Sequence, residues 1–150
     1  MKKRILVWFV IGLLGCAAIV ALILGVFRHS LVHEMNRVAE FGNRFEVVSV
    51  EVMAKHMDPA LIDISEENEL YDELIKEIKK TKVRFVRKEI SVKFSDPLYT
   101  FTAKRKGKRV SVSVESNEML HINQNNATYV VVSKNCKLYD ILKEISQEVS

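Results

Sequence analysis

Apolar and polar positions are unevenly spread along the 150-residue chain. Residues 5–27 read ILVWFVIGLLGCAAIVALILGVF, an unbroken run without a charged, amide or hydroxyl side chain. As a helix it is about 34 Å long, enough for a hydrocarbon core of about 30 Å. Backbone polar groups in lipid must pair within their own segment, which predicts a helix here despite the β-branched residues. Beyond it, Leu31, Val32, Met35, Val38 and Ala39 recur at helical spacing, so the pattern predicts that the helix continues as an amphipathic stalk over residues 28–42, its apolar stripe covering the protein's own domain or else the membrane interface or another chain, and ends at Gly42-Asn43.

The period then changes. Residues 45–53 predict a strand with Val48, Val50 and Val52 on one face, and residues 61–64 extend or follow it after an Asp58-Pro59 turn. With Ser65 as N-cap, residues 66–81 predict a helix burying Leu70, Leu74, Ile75 and Ile78, acidic early and basic late, as suits the helix dipole. Period-2 segments follow at turn-separated intervals. Ile90, Val92 and Phe94 form one; Tyr99, Phe101 and Ala103, then Val110, Val112 and Val114, form a hairpin around Lys106-Gly107. Leu120 and Ile122 lie on a short strand, Gln124-Asn125-Asn126 is a turn, and residues 129–132 are a last strand. Asn135 caps a closing helix carrying Leu138, Ile141, Leu142 and Ile145. The expected fold is α+β: a single N-terminal transmembrane helix, then a small antiparallel β-meander packed with two helices.

Charge changes this picture only at the N-terminus. The chain holds 23 Lys and Arg against 19 Asp and Glu. Lys2, Lys3, Arg4 and Arg28 flank the apolar run, and without them cations and anions balance. The basic excess therefore reports topology. By the positive-inside bias, residues 1–4 are a cytoplasmic tail, residues 5–27 cross the cell membrane, and an extracytoplasmic domain occupies residues 43–150 beyond the stalk. The lipid bilayer is the first expected partner. A cleaved signal would have a shorter apolar region and a small-residue exit. A lipoprotein is the alternative, because Leu13-Leu14-Gly15-Cys16 resembles a lipobox, although residues 17–27 stay apolar after the cysteine.

Candidate chemistry is sparse. Only Gly42 and Gly107 lie outside the apolar run, so no glycine-rich phosphate loop and no G-x-S-x-G elbow exists. Cys136 is the one thiol beyond the run, which excludes a thiolate zinc cluster and an intramolecular disulfide there. Acting as a nucleophile would require a histidine such as His121 beside it; otherwise it is a buried core residue. His29 and His33 stand four apart with Glu34 adjacent, but H-E-x-x-H is absent, and they read as solvated histidines near a membrane surface. No metal, cofactor or catalytic residue is expected. Lys104, Arg105, Lys106, Lys108 and Arg109 crowd one hairpin turn and are the candidate anion-binding residues, facing phospholipid heads or a phosphate-containing wall polymer. No aromatics interleave with them, which argues against nucleic acid.

The apolar N-terminal segment, the helix around residues 69–75 and the basic hairpin at residues 104–108 together resemble YfmQ-like and similar small membrane-anchored proteins of bacilli. That resemblance implies a membrane-anchored envelope protein and no catalytic residue. The expected role is non-enzymatic contact with another envelope protein or an anionic wall polymer. A processed lipoprotein with a ligand-binding domain and a hydrolase with an unfamiliar site are the alternatives.

Overall fold

A computed structural model of the chain describes residues 12–16, 19–20, 28–40, 44–56, 58–88 and 97–148. Residues 12–16 and 19–20 are helical, and among the described residues no helix is long and apolar enough to cross a membrane. The span expected over residues 5–27 falls largely outside the described residues. So do the tail 1–4, Gly42-Asn43 and the strand expected around Ile90, Val92 and Phe94.

The domain is α+β, built on an eight-stranded antiparallel sheet. Its elements are β1 (His29–Ser30), α1 (Leu31–Ala39), β2 (Glu46–Met53), β3 (Ala60–Asp63), α2 (Tyr71–Lys80), β4 (Lys82–Lys88), β5 (Leu98–Arg105), β6 (Lys108–Ser116), β7 (Met119–Ile122), a 3-10 turn (Asn123–Asn125), β8 (Ala127–Val131) and α3 (Leu138–Glu148). Across the sheet the order is β1-β4-β8-β7-β6-β5-β2-β3. Strands β5 to β8 are the expected meander. The pairing of β4 with β8, and of β2 with β5, widens the sheet by long-range contacts that local pattern does not encode.

The central hairpin matches its pattern. Tyr99 faces Val114, Phe101 faces Val112 and Ala103 faces Val110, and all six side chains are buried. Lys106 (φ 47°) and Gly107 (φ 79°) both take positive φ, the two-residue turn whose twist matches that of paired strands. Helix α3 buries Leu138, Ile141, Leu142 and Ile145, as spaced. Helices α1, α2 and α3 contact one another in sequence, and α1 and α3 lie on the face of the sheet that carries Phe101, Val112 and Leu120.

Several expectations need correction. The helix does not run continuously through residue 28: His29 and Ser30 are extended and pair with Val83 and Lys82. Helix α1 starts afresh at Leu31, where the Ser30 hydroxyl accepts from the His33 N–H at 3.1 Å. Its apolar stripe covers the domain itself, as one reading of the spacing has it, since Leu31, Val32, Met35 and Ala39 belong to the core; among the described residues three helices rather than two therefore share the core with the sheet. In β2 a register shift between Val47 and Ser49 breaks the period, burying Val47 and Val50 in place of Val48. Helix α2 begins at Tyr71 instead of residue 66. The Ser65 hydroxyl serves a preceding turn by accepting from the Glu67 N–H, and Asn68 Oδ1 accepts from Leu70.

Asn135, expected as an N-cap, instead takes a left-handed conformation (φ 55°) three residues before α3 begins. The N–H groups just before and at the start of α3 find acceptors from distant elements. Lys137 donates to Glu77 Oε1 at 3.1 Å, and Tyr139 donates to Asn117 Oδ1 at 3.0 Å, which satisfies donors that the helix itself leaves unpaired.

Candidate functional site

A pocket of about 440 Å³ opens between the start of α1, β4 and the β7–β8 turn. Its lining includes His29, Glu34, Arg37, Phe85, Asn125 and Tyr129. Glu34 lies on the buried side of α1, 2% exposed, among Leu31, Met35 and Ala39. A buried carboxylate needs charge-assisted partners. Arg37, one turn on, supplies one at 3.0 Å, and the Tyr129 hydroxyl supplies the other at 3.0 Å. Both donate to Oε2. Asn125 Nδ2 in turn donates to the Tyr129 oxygen at 3.2 Å, so a chain of hydrogen bonds joins the 3-10 turn to α1. Phe85 packs edge-on against Tyr129, with ring centroids 5.9 Å apart.

The two histidines beside Glu34 are brought together. Their rings stack with centroids 4.9 Å apart. Ser30 makes this possible: it ends the extended segment that holds His29, and by capping α1 it turns His33 back over it.

Burial holds the Tyr129 phenol above its ordinary value of 10.0, with Glu34 adding to the shift and the Asn125 bond opposing it. Burial likewise raises Tyr71, whose hydroxyl oxygen accepts from Val47 N–H at 3.3 Å. Groups whose folded-state value lies above the unfolded one stabilise the fold fully below the unfolded value, and that stability disappears as pH rises through the folded value. Urea midpoints measured across the alkaline range are expected to fall once pH exceeds 10.0. A Tyr71→Phe, Tyr129→Phe double variant should start less stable and lose less over the same range. An equal alkaline loss in the variant would remove these phenols as its cause.

The five hairpin cations cluster as expected. Lys104 faces Arg109 and Arg105 faces Lys108 across the two strands, with Lys106 in the turn between them. Lys108 Nζ reaches Glu40 Oε2 at 2.9 Å, and that contact lowers the Glu40 carboxyl below its ordinary value. The pair is exposed on both sides, so it contributes little to stability.

Cys136 and His121 are not brought together. Leu120 and Ile122 point into the core, so His121 between them faces the other side of the sheet, where its ring nitrogens meet Thr128 Oγ1 at 3.0 Å and Glu115 Oε2 at 3.2 Å. Cys136 sits in the core, 3.6 Å from Thr81 Oγ1, and burial raises its thiol, the opposite of activation.

Arg37, Asn125 and Tyr129 escape a reading of the sequence as site residues. One signal was present: Glu34 stands at i+3 from Leu31, a charge set within an apolar stripe. Tyr129, 95 residues from Glu34, had none.

No protein-family model matches the chain, and neither the curated proteins nor the solved structures contain a match.

Proposed function

We propose that the chain is a membrane-tethered binding module of the bacterial envelope. Residues 5–27 hold it in the cytoplasmic membrane, and the domain from residue 28 onward stands outside, gripping an anionic, phosphate-containing wall polymer through the β5–β6 hairpin and performing no catalysis. The observation that carries this reading is the register of the hairpin. The cross-strand pair of Lys104 with Arg109 sets like charges directly opposite each other, an arrangement that destabilises a sheet, and Arg105, Lys106 and Lys108 bring three further cations to the same turn. A polyanion laid across the tip relieves that repulsion. The tether is supported by the uncharged run and by the exposure of Leu13, Leu14, Ile19 and Val20, apolar side chains in helical backbone that the domain does not cover.

The test uses the full chain in nanodiscs of zwitterionic lipid. Replacing all five cations with Gln should cut retention on immobilised polyphosphate by at least about tenfold, since each cation near an anionic surface contributes about 1 kcal/mol. Rising salt should weaken the unsubstituted protein in parallel. Unchanged retention overturns the hairpin as the contact. Retention on phosphatidylglycerol vesicles but not on polyphosphate overturns the polymer in favour of a lipid surface. A reporter active only outside the cytoplasm, joined after Ser150, should be active; silence overturns the placement.

A further inference from the structure

Independently of the hairpin and the tether, we propose that His29, His33 and Glu34 form a binding site for a divalent transition-metal ion that favours mixed nitrogen and oxygen ligands, zinc above all. One potential ligand atom from each of the three residues lies within 4.8 Å of the other two. Ligands sharing one zinc ion stand roughly 3.3 Å apart, from metal–ligand bonds of about 2.0–2.2 Å. Closing the site therefore takes side-chain movements of about 1.5 Å. His33 is exposed and His29 half-buried, so the movement asked of the two rings is within the range of side-chain rotation.

Glu34 is already held as a metal-binding carboxylate needs to be. Arg37 and Tyr129 both donate to Oε2, and among the described residues no donor reaches Oε1. A ligating carboxylate is typically fixed by hydrogen bonds of this kind, which orient it and remove the entropy cost of ordering it on binding. The positive charge of Arg37 opposes a dication. That side chain is 65% exposed, so solvent screens the repulsion, while its bond to Glu34 persists. With three protein ligands, two of which line the 440 Å³ pocket, the ion keeps a position open toward it. Structural zinc sites are closed by a fourth protein ligand; an open position is the mark of a site that takes up an exchangeable ligand.

The experiment titrates zinc alone into the full-length protein, purified without a histidine tag and held in detergent, against a chromophoric chelator. One zinc per chain is expected, together with a rise in the unfolding midpoint. His33→Ala removes an exposed side chain that the core does not need, and should weaken binding by at least about tenfold and abolish the rise in midpoint. His29→Ala should do the same, and His56→Ala, at an exposed turn, should change neither. Cobalt in place of zinc should give a visible absorption band that His33→Ala alters. Absence of saturable zinc binding, or binding that survives His29→Ala and His33→Ala undiminished, overturns the site.

Discussion

Leu31→Ala is expected to lower the unfolding free energy by about 3 kcal/mol, the usual cost of emptying a leucine-sized volume in a close-packed core. Leu31 is fully buried, and its backbone N–H donates to Thr81 O at 2.8 Å, locking the start of α1 to the end of α2. Had α1 been a stalk between membrane and domain, the same change would fall on a surface and cost little. Leu61→Ala supplies that comparison: Leu61 is 68% exposed on β3, and its truncation should stay within about 0.5 kcal/mol. Urea unfolding of the two variants checks the difference. Equal midpoints would mean that α1 does not belong to the cooperative unit.

The second large effect concerns the tether. Arg near the centre of a transmembrane helix costs about 2.5–3.5 kcal/mol on insertion scales, so Gly15→Arg and Ile19→Arg together should prevent stable insertion. The unsubstituted protein is expected to stay with the membrane through carbonate extraction, and the double variant to appear in the aqueous fraction. If the unsubstituted protein is itself extracted by carbonate, the tether falls and the polymer-binding reading loses its setting.

Legibility in the sequence followed the range of the interactions involved. The β5–β6 hairpin could be read because its alternation, its Lys106-Gly107 turn and its pairing are all local, and the four apolar residues of α3 because one helix face needs no partner to be recognised. Strand β4 could not. Only Val83 among its described side chains is buried, Phe85 and Val86 are exposed, and a register shift between Phe85 and Arg87 breaks what alternation there is. Strand β2 was found but misphased, because its register shift moves burial from Val48 to Val47. The apolar stripe of α1 was visible, yet nothing local distinguishes a helix that continues from the membrane from one restarted by a serine cap and laid on a sheet. The candidate metal site divides in the same way. Its three ligand residues are neighbours in the chain, whereas Tyr129, which holds Glu34 in place, arrives through the pairing of β8.

Arg28 alone stands between the uncharged run and β1, and β1 is the edge of the sheet. For a tethered protein, that leaves a leash of one residue, about 3.5 Å when fully drawn out. A domain held by that tether would have no freedom to search the space above the bilayer. A globule of this size measures about 35 Å across, so whatever a domain tethered in this way captured would itself have to come within that distance of the lipid, and long strands of cell wall would be met only where they approach the surface.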